Sequence, residues 1–85
     1  MPNIIIYTAN LCPYCTMAKK LLEKKGAIYT EINLASKPEL RQEIMQKTKC
    51  RTVPQIFIDD LHIGGFDDLY ALETTNKLDP LLSSN

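Results

Sequence analysis

Along this chain the spacing of apolar residues changes repeatedly, and each change marks an element. Asn3 to Thr8 carries the unbroken run Ile4-Ile5-Ile6-Tyr7, which predicts a strand buried on both faces. Ala9-Asn10-Leu11 ends it. From Cys12-Pro13-Tyr14-Cys15 onward, Ala18, Leu21 and Leu22 fall at helical spacing, with Lys19, Lys20, Glu23 and Lys24 opposite, so an amphipathic helix is predicted. Pro13 suits its first turn, where no backbone donor is needed, and Gly26 suits a left-handed position at its end. The lysines Lys19, Lys20, Lys24 and Lys25 read as its solvated face.

Between Ile28 and Leu34 the even positions Ile28, Ile32 and Leu34 are apolar while Glu31 and Asn33 are polar, which predicts a half-covered strand. A strand, a helix and a strand in sequence require a crossover, so the two strands should be parallel and the unit right-handed. Ser36-Lys37-Pro38-Glu39 has the pattern of a capping box, opening a second helix that turns Leu40 and Ile44 inward and runs to about Lys49. Gln55 to Ile58, the turn Asp59-Asp60 and Leu61-His62-Ile63 read as an antiparallel hairpin closed by Gly64-Gly65. Asp67 or Asp68 is placed to cap a last helix through Leu69, Tyr70 and Leu72. Leu78, Leu81 and Leu82 form an apolar tail segment around Pro80, before the polar end Ser83-Ser84-Asn85. The predicted order is β-α-β-α-β-β-α. With no repeat or linker, residues 1–85 read as a single domain.

Composition narrows the function more than the fold. Hydrophobic residues make up 45% and charged residues 24% of the 85, as in a soluble globular protein. Lys plus Arg equals Asp plus Glu at 10 each, so no basic excess exists to draw the chain to nucleic acid or an anionic bilayer. The run Ile4 to Tyr7 is too short for a signal-peptide core, and no apolar stretch approaches the ~20 residues of a membrane span. A cytoplasmic protein is predicted. Three cysteines in a reducing compartment do not make a structural disulfide framework, which leaves catalysis or metal binding.

Cys12 and Cys15, two residues apart between a strand and a helix, carry the signature of a redox pair. At the start of the helix, unpaired backbone N–H groups and the helix dipole favour the Cys12 thiolate. A free cysteine of pKa about 8.5 is only a few per cent ionised at neutral pH, so lowering it by ~1.5 units raises the reactive fraction roughly tenfold. Cys15 lies one turn in, toward the buried side, where desolvation disfavours its thiolate and suits it to a resolving role. Two metal-based alternatives stay open. One is a zinc site of Cys12, Cys15, Cys50 and His62, and the other an iron–sulfur carrier. By themselves, Cys50 reads as an incidental thiol and His62 as a solvent-facing strand residue.

Taken together the motifs resemble the glutaredoxins, of the small bacterial dithiol type, from Asn3 to Leu82. Cys12-Pro13-Tyr14-Cys15 is similar to the dithiol glutaredoxin centre and unlike the Cys-Gly-Pro-Cys of thioredoxins, and the chain has no Trp. Arg51-Thr52-Val53-Pro54 is similar to the loop in which that family has a cis proline facing the active site. Gly64-Gly65-Phe66-Asp67-Asp68 is similar to the segment that holds the γ-glutamyl end of glutathione. The resemblance implies a thioredoxin-like fold, with a four-stranded mixed sheet in the order 2-1-3-4 and helices on both faces. It implies glutathione as reductant, no metal, and a monomer acting on glutathionylated or disulfide-containing proteins. The implied catalytic pair is Cys12 and Cys15. The implied glutathione site is Tyr14, Thr52, Val53, Pro54, Gly65, Phe66, Asp67 and Asp68. A thioredoxin-like reductase fed by a flavoprotein is the near rival. The sequence departs from the family at Ala9, where Lys or Arg is common, which implies weaker glutathione affinity and a less acidic Cys12. Phe66 stands where several bacterial relatives have cysteine.

Overall fold

A computed structural model describes residues 2–83; Ser84 and Asn85 of the polar end lie outside the described residues. The elements are β1 (Ile4–Thr8), α1 (Pro13–Lys24), β2 (Thr30–Asn33), α2 (Pro38–Thr48), β3 (Gln55–Ile58), β4 (Leu61–Gly64), α3 (Phe66–Thr74) and α4 (Leu78–Ser83). The four strands form one sheet in the order β2-β1-β3-β4. β1 runs parallel to β2 and antiparallel to β3, and β4 is antiparallel to β3, so the predicted mixed sheet and strand order are what is found.

The period-two geometry of β1 and β3 sorts their side chains onto two faces. Ile4, Ile6, Ile56 and Ile58 pack on one face with Ala18 and Leu22 of α1, Leu69 of α3 and Leu78 of α4. Fully burying each of these larger aliphatic side chains contributes about 1.5–3 kcal/mol, which makes this the cluster that holds α1 in place. The other face carries Tyr7 and Phe57 edge to face at 5.9 Å, with the Lys47 ammonium of α2 5.1 Å from the Phe57 centroid. Burial, then the Glu43 carboxylate, pushes the Tyr7 phenol upward.

Both ends of α1 are chemically marked. Cys12 is its N-cap and Pro13 occupies the first helical position. At the other end Gly26 has φ +72°, the Gly26 N–H donates to Glu23, and the Ala27 N–H donates to Leu22, which is a Schellman closure. Asp59 and Asp60, at φ +50° and +67°, form the two-residue turn of the β3–β4 hairpin.

Several expectations are corrected. β1 is not buried on both faces: Ile4, Ile6 and Thr8 are buried, but Ile5 and Tyr7 are half-buried because α2 covers its side less completely. β2 begins at Thr30, so Ile28 precedes the strand and is 72% exposed, while Tyr29 packs against the core instead. The capping box at Ser36 does not form; Lys37 is the N-cap of α2 without a side-chain bond, which places Pro38 at its favoured first position. Gly65, not Asp67 or Asp68, is the N-cap of α3. The tail around Pro80 is a further helix, α4, which extends the predicted order by one element. Lys19 and Lys25 are not merely solvated. Lys19 pairs with Glu31 at 3.1 Å, and Lys25 pairs with Glu73 at 2.9 Å and Asp79 at 2.7 Å, linking the end of α1 to α3 and α4. The Asp79 and Glu73 carboxylates raise the Lys25 ammonium pKa.

Candidate active site

β1 delivers the chain to the top of the sheet, and α1 starts five residues later with Cys12 at its cap. The Cys15 N–H donates to Cys12 Sγ at 3.1 Å, so one of the unpaired amides of the helix end points at the sulfur. Cys12 and Cys15 are joined as a disulfide, with Cα atoms 5.2 Å apart. Cys12 is half-buried and Cys15 is 2% exposed, on the same inward stripe as Ala18 and Leu22. No acidic residue stands in the first turn of α1 to oppose an anion there. Leu11, just before the pair, has φ +52° and is fully exposed.

On one side of this pair runs the loop between α2 and β3. The Val53–Pro54 peptide is cis, as the resemblance implied, and the Val53 carbonyl oxygen lies 3.7 Å from Cys12 Sγ. Beyond it is the start of α3. Gly64 at φ +114° lets the chain turn into that helix, and the Asp68 carboxylate reaches back to accept the Gly65 N–H at 3.0 Å. Tyr14 of α1 stacks on Phe66 at 6.3 Å, and Phe66 on Tyr70 at 5.8 Å, closing the rim with aromatic faces.

Tyr14, Thr52, Val53, Pro54, Gly65, Phe66, Asp67 and Asp68, singled out separately along the sequence, line one groove of about 360 Å³. The size suits a small-molecule ligand. Two carboxylates and the opening turn of a helix at one end offer partners for an amine and for a carboxylate, respectively. Cys50 and Gln55 also line the groove, and neither was singled out from sequence as part of it. Gln55 showed only as the first residue of a β-rich run.

A second cleft of about 520 Å³ lies on the other side, lined by both active-site cysteines together with Ala9, Leu11, Lys19 and Glu31. Thr8 Oγ1 donates to Glu31 at 2.7 Å, and this bond, helped by Lys19, holds the Glu31 carboxyl below its usual range. The four candidate zinc ligands do not converge: the His62 ring nitrogen lies against Gln55, and among the described residues no three His, Cys, Asp or Glu side chains are grouped for a metal. Among the described residues no helix is long and apolar enough to cross a membrane.

A cysteine pair at the start of the first helix, a cis Val53–Pro54 peptide whose Val53 carbonyl lies beside it, and a mixed sheet in the order 2-1-3-4 define a thioredoxin-like thiol–disulfide oxidoreductase. Residues 4–63 match the sequence pattern of the Glutaredoxin family. A glutaredoxin of Pseudomonas aeruginosa is 54% identical over 84 residues, covering 99% of this chain and 100% of that one. The solution structure of a Brucella melitensis glutaredoxin is 54% identical and superposes with a TM-score of 0.87, covering 96% of this chain and 89% of that one. The crystal structure of a buckwheat glutaredoxin–glutathione complex is 32% identical with a TM-score of 0.88, covering 96% and 77%. The chain belongs to the glutaredoxin family, whose members are glutathione-dependent thiol–disulfide oxidoreductases.

Proposed function

We propose that residues 1–85 act as one monomeric, cytoplasmic, metal-free dithiol glutaredoxin that reduces glutathione mixed disulfides through Cys12 and protein disulfides through Cys12 with Cys15. The observation that carries this reading is the groove: all eight residues assigned to glutathione line it, and its Val53 wall stands 3.7 Å from the Cys12 sulfur. A flavoprotein-fed reductase would have no use for such a groove, and the buckwheat relative is solved with glutathione.

In the proposed sequence the Cys12 thiolate attacks the glutathione sulfur of a mixed disulfide, a new Cys12–glutathione disulfide forms, and the protein thiolate leaves. A second glutathione thiolate then attacks the bound glutathione sulfur, giving glutathione disulfide and free Cys12. For a protein disulfide, Cys12 attacks first, Cys15 displaces the substrate from Cys12, and two glutathiones reduce the resulting pair. Thr52, Val53 and Pro54 present backbone to the cysteinyl part of glutathione. Gly65, Phe66, Asp67 and Asp68 take its γ-glutamyl end, the carboxylate at the helix start and the amine at Asp67 or Asp68. Tyr14 closes the rim. Replacing Cys15 by serine separates the two chemistries: deglutathionylation of a peptide persists while reduction of a protein disulfide falls by at least about tenfold. Equal loss of both activities contradicts the assignment.

A further inference from the structure

Gln55 is the only polar residue of β3 and is 3% exposed. A carboxamide so buried needs partners, and it has two. Its Nε2 donates to the Thr52 carbonyl at 2.9 Å, which turns Oε1 toward β4, where His62 Nε2 stands 2.7 Å away. An amide oxygen only accepts, so His62 must carry its proton on Nε2. The imidazole is steadied in turn against the Phe57 ring, with centroids 5.0 Å apart.

The target of this relay is the segment between Thr48, the last residue of α2, and Gln55, the first of β3. That segment belongs to neither a helix nor the sheet, yet its Thr52, Val53 and Pro54 form a wall of the groove beside Cys12. His62 lines neither the groove nor the second cleft. We infer that His62 and Gln55 are positioning residues: a hydrogen bond donated from β4 fixes the Gln55 amide, which holds the Thr52 carbonyl and so sets the groove wall against Cys12. The inference rests on the reading of the groove as the glutathione site. Neither residue handles the reacting sulfur.

Three variants test it: His62→Phe keeps a ring on Phe57 without the donor, His62→Gln restores a donor, and Gln55→Met removes both amide bonds at similar volume. Each is assayed for KM and kcat with a glutathionylated peptide, and for the rate at which iodoacetamide alkylates reduced Cys12. His62→Phe and Gln55→Met should raise KM about three- to tenfold, with kcat and alkylation within about twofold. His62→Gln should return KM to within about twofold of the parent. Should Gln55→Met fail to fold, the exposed position 62 carries the test alone. An unchanged KM in His62→Phe, or a His62→Gln as impaired as His62→Phe, overturns the inference. Asp67→Asn and Asp68→Asn are read alongside: a raised KM in either with an unchanged His62→Phe defeats the relay alone, whereas an unchanged KM in both defeats the groove assignment and the relay with it.

Discussion

Gly64 is where backbone geometry and ligand groove meet, and Gly64→Ala should be among the most damaging single-methyl additions to this protein. Two separate penalties are built into the position. Its φ of +114° is a conformation that side-chain-bearing residues rarely adopt, at about 1–3 kcal/mol. A Cβ there would also fall onto the Asp68 carboxylate, which now accepts the Gly65 N–H. Displacing it forfeits a capping bond of about 1 kcal/mol. The sum, about 2–4 kcal/mol, is a large fraction of the roughly 4–13 kcal/mol that a protein of this length has in total. Each kcal/mol should lower Tm by about 4–8 °C. Urea unfolding of Gly64→Ala, Asp68→Ala and the double variant separates the terms. A capping bond can be lost only once, so the double variant should be about 1 kcal/mol more stable than the sum of the singles predicts. Additivity within ~0.5 kcal/mol, or a Gly64→Ala loss below that figure, refutes the reasoning.

Two further outcomes follow from the second cleft. Thr8→Val removes the bond that contributes most to the low Glu31 pKa, so it should lower stability at neutral pH. Because the folded carboxyl is more acidic than its unfolded reference of 4.5, that stabilisation is whole above this value and is lost as pH falls through the lower folded pKa. Unfolding free energies of parent and variant should therefore converge in acid, and a gap independent of pH contradicts the assignment. Ala9→Lys adds a cation to the cleft that holds Cys12, and should tighten glutathione binding by up to about fivefold and move the midpoint of Cys12 alkylation to lower pH. No change in either quantity rules out that account of Ala9.

The parts of this fold legible in sequence are those in which local pattern and long-range packing agree. Ala18 and Leu22 at helical spacing, with Cys15 on the same stripe, do line the core, and the apolar runs of β1 and β3 do pair at the sheet centre. Where two local rules compete, sequence alone picks poorly. At α2 the serine pattern and the preference of proline for the first helical position differ by one residue, and Pro38 prevails. At Ile28 alternation continues past the true strand end, into the stretch after the left-handed Gly26, where no sheet partner exists to bury it. For α3, Asp68 is not the cap but works from inside the helix, reaching back to accept the Gly65 N–H. The groove residues were legible because each belongs to a motif. Gln55 and His62 were not, since their bond joins adjacent strands and has no expression in the local spacing of either.

Cys12 is bordered on one flank by the Val53 wall of the groove and shares the opposite cleft with Cys15. In the proposed mechanism a sulfur already bound to a partner can then be relieved by either of two routes, a free glutathione arriving from solution or the neighbouring thiol within the chain. The first route quickens as the tripeptide becomes more abundant; the second proceeds at a fixed pace. The share of turnovers that pass through the internal disulfide thus becomes a gauge of how much reductant surrounds the protein, set by a race between the two routes.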